Sequence, residues 1–398
     1  MNGSFQAIQI SPSVYWVGAI DWALRQFHGY ETRRGSTYNA YLVKGDDGYI
    51  LIDTVKKGFE DELLARIATV CPPDQVRAII SNHAEMDHSG GLPRVLAAIA
   101  PDAPVYASPM GVKALAAHFG DAVRALPAKG TLTLLGRTFR VVETRMMHWP
   151  DSMWTYDEAD RILFTNDAFG MHLAGQARWA DEVPADIIED ESARYFANIL
   201  TIYAPIIAKC CAGYPALGLD PAAICPDHGP CWRGDGIARI LSQYAAWSNP
   251  ERSRKKAVLI YDTMWHSTET MARAIADGIA GTGLPCDVLP LSGTPRSEVA
   301  RALLDASALI VGTPTLNQGM YPTVADVLCY LKGLKFPIEL GAVFGSHGWA
   351  PLGTKAAKEA LAPMCKTTLD PLDLCYVPTP EGLARCREYG ESIAKRIL

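Results

Sequence analysis

The chain has 398 residues, of which 49% are hydrophobic and 20% charged, with a formal net charge of −6. That length suits two domains with sizeable cores, and a mildly acidic balance without blocks of like charge argues against a nucleic-acid surface. Residues 1–6 show no basic segment followed by an apolar stretch, and no apolar run is long and clean enough to span a bilayer, so the expectation is a cytoplasmic protein with no signal peptide and no membrane segment.

In chain order, short β-like runs are expected at 6–10, 14–18, 37–43 and 49–53, separated by turn residues, then a helix at 58–70 with Phe59, Leu63, Leu64, Ile67 and Val70 on one side. A buried strand at 76–80 leads into the polar stretch 81–91, and Gly90-Gly91 opens a helix at 92–100. Further strands are expected at 104–107, 131–135, 138–144, 161–165 and 222–225, with a long helical region at 192–212. Strands followed by helices, twice over, imply two sheets packed face to face with helices outside. The polar, basic stretch 248–256 reads as a linker, dividing the chain into domains 1–250 and 251–398. Beyond it, strands at 257–261, 286–291, 308–312, 340–345 and 369–376 alternate with helices at 269–280, 296–306, 324–334, 354–362 and 381–397. That alternation is the pattern of a doubly wound parallel sheet.

The stretch 81–91 carries four metal-ligand types in six positions: His83, Glu85, Asp87 and His88. His148, Asp167 and His228 follow strand-like runs in polar loops. A carboxylate such as Asp167 can bridge two metals through its two oxygens, while neutral imidazoles fill terminal positions and leave room for a substrate. A zinc hydrolase with this kind of cluster usually carries His where Glu85 stands. The harder, anionic oxygen shifts preference from zinc toward iron or manganese. His118 and His172 read as surface or packing residues. The ten cysteines form no C-x-x-C pair, so a cysteine-ligated zinc or iron site within this chain is not expected; they read as reduced thiols packed as small hydrophobes.

In the second domain, hydroxyls gather at Thr263, Ser267 and Thr268, beside Trp265 and just before a helix. A helix N-terminus with hydroxyl donors, and without a Lys or a Gly-x-Gly-x-x-Gly, suits a terminal monophosphate, and hence FMN. Two further loops leave the carboxyl ends of strands, 312–321 with Thr315, Asn317 and Gly319, and 345–353 with Ser346 and Trp349. Small residues there let backbone approach a flat ring, and Trp349 can stack on an isoalloxazine.

The string His83-x-Glu85-x-Asp87, then His148, Asp167 and His228, with 60, 18 and 60 residues between successive members from Asp87 on, resembles that of the flavodiiron proteins. Stretches 17–22, 27–30, 38–42 and 148–153 share the likeness, which extends over almost the whole chain. The resemblance implies a metallo-β-lactamase-like αββα domain followed by a flavodoxin-like domain. It implies one non-haem iron held by His83, Glu85 and His148, a second by Asp87 and His228, and Asp167 between them. The histidine matching His88 ligates in some members and turns away in others, so both placements stay open. His28 and Tyr195 match positions that can hydrogen-bond a diatomic at the irons. The implied activity is reduction of O2 to water, of NO to N2O, or both, in a head-to-tail homodimer or a tetramer of such chains. Electrons would come from outside, from rubredoxin or another small donor, since no fused reductase follows. A coenzyme F420-dependent oxidase shares this architecture. Outside the family, the competing readings are a metal-dependent hydrolase with a flavodoxin-like accessory domain and a plain electron-transfer flavoprotein.

Overall fold

The computed structural model describes residues 5–100, 102–251 and 254–398. Residues 1–4 of the N-terminus, Pro101, and Arg252 and Ser253 of the expected linker lie outside the described residues. The chain forms two compact units. One comprises the chain up to His28, Thr32–Tyr195 and Pro205–Ser248; the other comprises Gly29–Glu31, Phe196–Ala204 and the chain from Asn249 onward.

The first unit is an αββα sandwich of the metallo-β-lactamase type. Its larger sheet sets Ile8–Ser11, Val14–Trp16, Tyr41–Gly45, Gly48–Ile52, Val76–Ser81, Val105–Ala107 and Ala125–Pro127 side by side in chain order. Its second sheet orders Gly130–Leu134, Arg137–Glu143, Met153–Asp157, Ile162–Phe164, Ala223–Cys225 and Trp232–Arg233. Successive side chains of a strand point to opposite faces. Tyr41, Val43, Ile50, Ile52, Ala78 and Ile80 therefore share an interior with Phe139, Val141, Met153, Ile162 and Phe164 of the facing sheet. Leu42, Leu51 and Ile79 turn the other way, onto the helix residues Leu63, Ile67, Leu92, Val95 and Leu115. Burial on both faces is why these strands read as nearly unbroken apolar runs. Val76–Ser81, Ile162–Phe164 and Ala223–Cys225 each end just before a polar loop carrying candidate ligands.

Two expectations for residues before the expected linker change. The run at 37–43 is not one strand but two, Ser36–Tyr38 and Tyr41–Gly45, because Asn39 leaves the ladder to bond a distant loop. The helical region expected at 192–212 begins at Ala185. It is interrupted by a π-helical stretch, Phe196–Leu200, and resumes at Ala204–Gly213, with Pro205 lacking the N–H that a continuous helix would use there. By length and composition alone this helical stretch, Ala185–Leu217, could cross a bilayer, where the sequence reading found no such run. The same test is passed by core helices of soluble proteins.

The second unit is flavodoxin-like. Cys286–Pro290, Ala257–Tyr261, Ala308–Gly312, Ile338–His347 and Cys365–Thr368 lie in that order, all parallel. In chain numbering that is 2-1-3-4-5, which puts a topological switch point beside the first strand. The last strand differs from expectation. Instead of one run at 369–376, Cys365–Thr368 and Leu372–Cys375 pair in succession with the long strand Ile338–His347. Asp370-Pro371 falls at the break, where proline cannot donate to a ladder. Ile310 is central to this core and fully buried. Ile310→Ala is expected to destabilise the protein by about 2–5 kcal/mol, measurable by denaturant unfolding followed through the second unit.

Candidate metal centre and flavin cleft

The loop after Val76–Ser81 is anchored before it reaches its first histidine. The Asn82 backbone N–H and side-chain amide both donate to Asp53, at 2.7 and 2.8 Å, and Thr155 donates to Asn82 Oδ1 at 2.6 Å. Burial pushes the Asp53 carboxyl up to about 6. From this base, the loop and the short helix Met86–Ser89 project His83, Glu85, Asp87 and His88 inward.

Two groups result. Ligand atoms of His83, Glu85, His148 and Asp167 all lie within 4.8 Å of one another, and so do those of Asp87, His88 and His228. Asp167, a member of the first, also faces the second. Its Oδ2 stands 3.2 Å from His83 Nε2 and 3.1 Å from His148 Nε2; its Oδ1 stands 3.2 Å from His88 Nε2 and 3.3 Å from His228 Nε2. Glu85 Oε2 completes the first group at 3.3 Å from His83 and 3.2 Å from His148. Asp87 completes the second, 3.2 Å from His228 and 3.4 Å from His88. The His88 ring thus turns into the site.

These residues fit metal better than they fit one another. Two ligands about 2.1 Å from a shared metal and at right angles to it are about 3.0 Å apart, close to the spacings seen. In the second group, both oxygens of Asp87, Oδ1 of Asp167 and both ring nitrogens of His88 are buried without a hydrogen-bond partner among the described residues. Outer contacts also settle the tautomers. His83 Nδ1 donates to Asp151 Oδ2 at 3.0 Å and His228 Nδ1 donates to the Thr37 carbonyl at 2.6 Å. In the neutral rings this leaves each Nε2 lone pair aimed at the centre, the arrangement metal-binding histidines use. Among the described residues, the three carboxylates pair with histidines and with no Arg or Lys. So much buried anionic charge calls for cations.

The Asp227–Pro230 segment is held by groups that sequence reading missed. Asn39 Nδ2 donates to the Pro226 and Gly229 carbonyls at 2.7 and 2.8 Å, while Trp16 Nε1 donates to Asn39 Oδ1. Tyr41 OH donates to the Pro226 carbonyl at 2.6 Å, and Thr37 Oγ1 accepts from the Gly229 N–H. Gly229 has φ +72°, and a Cβ there would meet Met171 at 2.7 Å, so only glycine fits. Asp227 is fully buried, its carboxyl pushed well above the ordinary range by burial and by Asp53 and Asp167. Position next to His228 was the only sequence signal for it.

Of the remaining candidates, His28 lies with its side chain 68% exposed and Nε2 3.1 Å from Glu85 Oε1. Tyr195 is buried, its ring centroid 6.1 Å from His228, and burial holds its hydroxyl well above the ordinary range. His118 is exposed. His172 is a packing residue, fully buried 4.6 Å from the His228 ring and bonded through Nδ1 to Ser36 Oγ at 2.8 Å.

In the second unit, a cleft of about 490 Å³ opens at the carboxyl ends of the strands. Thr263, Trp265, Ser267, Thr268, Thr315, Ser346 and Trp349 line it. Asn317 and Gly319 are not among the lining residues. With Asn317 and Gln318 at positive φ, they form the turn closed by paired bonds between Leu316 and Gly319, which shapes the loop beside the cleft. Met264, His347, Gly348, Tyr376 and Val377 line the cleft without having been singled out in the sequence. For Tyr376 the signal was its place just past the last parallel strand. At the N-terminus of helix Ser267–Ala280, the Thr268 hydroxyl is buried and unpartnered among the described residues, as suits a donor waiting for an anion. Trp265 and Trp349 flank the cleft at 87% and 93% exposure, apolar area that a flat aromatic ligand would cover.

Comparison with known proteins agrees with both halves. Residues 37–229 match the ODP family beta lactamase model and residues 259–390 match flavodoxin. The chain is 39% identical to a nitric oxide reductase of Moorella thermoacetica, covering 98% of this chain and 99% of that one. It superposes on the structure of rubredoxin oxygen:oxidoreductase from Desulfovibrio gigas with TM-score 0.93, at 36% identity over 98% of each chain. On the flavodiiron protein of Giardia intestinalis the TM-score is 0.90, at 31% identity over 100% of this chain and 98% of the other. Fold and site define a two-domain protein that joins a dimetal histidine–carboxylate centre to a flavin cleft. The chain belongs to the flavodiiron protein family.

Two outcomes follow for the metal centre. Asp151→Ala removes the acceptor for His83 Nδ1–H and is expected to weaken metal binding by about 10–100-fold, read by titrating metal into the metal-free protein. In that metal-free state, burial disfavours charge on His148, but the Asp167 and Glu85 carboxylates outweigh it and raise its pKa to about 9. The proton stabilises the metal-free fold fully below the unstrained value of 6.5, and this contribution is lost as pH rises through about 9. Metal needs the deprotonated ring, so its affinity should rise with pH across that window, by up to about tenfold per pH unit for each proton displaced. Proton release measured during metal titration at several pH values checks the sign.

Proposed function

We propose that this chain reduces O2 to water, NO to N2O, or both, at a non-haem diiron site, using electrons that enter through FMN from an external donor such as a rubredoxin. The observation that carries the proposal is Asp167, whose two oxygens face two separate histidine–carboxylate groups. His83, Glu85 and His148 would hold one iron, Asp87, His88 and His228 the other, with Asp167 between. Residues 1–250 would form the diiron domain and 251–398 the FMN domain. Thr263, Ser267 and Thr268 would take the phosphate, and Thr315, Ser346 and Trp349 would surround the ring.

FMN, when bound in the second unit, would supply one- and two-electron transfer, and iron held by the histidine–carboxylate groups would supply a redox-active binding place for a diatomic. The chain supplies position and protons. Asp151 and the Thr37 carbonyl fix the protons of His83 and His228 at Nδ1, on the side away from the centre. Tyr195 keeps its hydroxyl proton at any physiological pH and so acts as a donor. His28 holds a ring nitrogen at Glu85 while most of the side chain meets solvent, a route for protons from outside. A head-to-tail homodimer, or a tetramer built from it, and a cytoplasmic location complete the proposal, as the family resemblance implies.

The test is anaerobic reduction by rubredoxin followed by separate O2 and NO consumption assays, on protein of measured iron and FMN content. Two irons and one FMN per chain with rapid consumption of either gas is the expected result. Two zincs, no flavin and hydrolytic activity would instead favour the metal-dependent hydrolase. Asp167→Asn should lower gas consumption by at least about 100-fold, since losing a bridging ligand must cost more than losing an outer-shell partner, with FMN content unchanged.

A further inference from the structure

Ten cysteines are free in this chain, and two of them bracket the segment that carries His228. Cys225 is the last residue of strand Ala223–Cys225, and Cys231 directly precedes strand Trp232–Arg233. These strands are antiparallel, with Ala223 opposite Arg233 and Ile224 opposite Trp232. One step further along the same register, Cys225 stands opposite Cys231. The Cys231 N–H donates to the Arg178 carbonyl, at 2.7 Å, and its C=O accepts from the Ala180 N–H, at 2.8 Å, so both backbone groups of Cys231 bond away from Cys225. The Cys225 carbonyl likewise accepts from Thr165. The two cysteines therefore form a non-hydrogen-bonded cross-strand pair, the closer of the two antiparallel types, with Cα atoms about 4.5 Å apart. Disulfides span roughly 4.4–6.8 Å between Cα atoms, so no backbone movement is needed to join them.

We infer that Cys225 and Cys231 form a redox-active thiol pair that closes to a disulfide across the base of the His228 loop. Neither thiol has a place in the proposed reduction of O2 or NO; the disulfide stands apart from that reading, and its effect on metal rests on His228 as a ligand.

The surroundings favour reaction at Cys231. Tyr41 OH lies 3.4 Å from its sulfur. Burial opposes a thiolate at Cys231, but the Cys225 thiol and the Arg178 guanidinium act to lower its pKa, whereas burial and Cys231 itself raise that of Cys225. Of the pair, Cys231 is thus the sulfur that gives up its proton more readily and Cys225 the one that keeps it, the division of labour that thiol oxidation uses. Both side chains are essentially buried, so the oxidant must be small; hydrogen peroxide is the class that fits. The Cys231 thiolate attacks one peroxide oxygen, the O–O bond breaks, and hydroxide leaves, giving a sulfenic acid. The Cys225 sulfur then attacks the Cys231 sulfur, the S–O bond breaks, and the S–S bond forms. In sum, two thiols and one peroxide give one disulfide and two waters, with two electrons passing from sulfur to oxygen. The ring so closed contains Pro226, Asp227, His228, Gly229 and Pro230. A cross-link at its base restricts how far this segment can open, and so how readily His228 can leave a metal.

The test uses the full-length protein purified with its metal under reducing, anaerobic conditions. It is treated with a small excess of hydrogen peroxide, quenched with an alkylating reagent, digested without reduction and mapped by mass spectrometry. The expected product joins the peptides of Cys225 and Cys231, two mass units lighter than the unlinked pair, and dithiothreitol reverses it. The oxidised protein should also lose metal to a chelator about threefold more slowly or better, and Cys225→Ser and Cys225→Ala should abolish that difference. Both cysteines alkylated as free thiols, while other cysteines of the same sample are oxidised, would overturn the inference. So would the same peroxide-induced slowing of metal loss in the Cys225 variants. Mapping the wild-type chain needs no substitution, so a variant that fails to fold leaves the test intact, and gas consumption plays no part in it.

Discussion

Three carboxylates buried among four imidazoles constrain everything around them. Glu85, Asp87 and Asp167 are almost fully shielded from water and find no Arg or Lys among the described residues, only histidines. Anionic charge of this density in a protein interior is stable only when matched by nearby positive charge. Without metal, the histidines provide it by holding protons, which is why His83, His148 and His228 all keep raised proton affinities despite burial. With metal, the cations take over and the protons must leave. The two states compete for the same space, and the spacing of about 3.0 Å expected between neighbouring ligands on one metal serves both.

The sandwich exists, in functional terms, to bring four loops to that spacing. The ends of its strands deliver them, and hydrogen bonds spread across the unit lock them. The His228 segment shows this most clearly. Its carbonyls at 226 and 229, its N–H at 229 and the Nδ1 of His228 are all taken by residues 37–41. A stretch that could have continued as plain strand gives up its ladder at Asn39 to do so. Local propensity yields there to the demand that a buried loop find partners for its backbone. The same segment carries a cysteine at each end, so its stiffness can also depend on the oxidation state of sulfur.

The second unit solves a simpler problem. A parallel sheet of order 2-1-3-4-5 leaves a crevice where the connections diverge, and a flat ligand with a phosphate tail needs little beyond it. Hydroxyl-bearing residues stand at a helix N-terminus in this cleft, and exposed tryptophans flank it with apolar faces. The cleft is lined mainly by loops rather than by strand interiors, which lets the fold stay rigid while the lining varies.

Much of this was legible in the sequence, for reasons of locality. The second unit's strands at 257–261 and 308–312 emerge as expected, because fully buried parallel strands announce themselves as short apolar runs between turns. The seven candidate ligands were visible because metal chemistry restricts residue type and because four of them fall within six positions. Glu85 in place of histidine carried the argument for iron over zinc before any geometry was known. Other features were invisible because they depend on residues brought together across the chain. Nothing in the run 37–43 marks Asn39 as a clamp for residues nearly two hundred positions away, and nothing in Asn317 or Gly319 tells turn from lining. Only the tertiary structure turned the His88 ring inward, split the last strand at Asp370-Pro371, and placed Tyr376 at the cleft. Sequence by itself determined which atoms were available and which elements would carry them, because composition and periodicity are local. Which oxygen of Asp167 faces which pair of histidines, and which thiol stands opposite which, only the packing of two sheets could decide, since those are distances between residues that the chain itself keeps far apart.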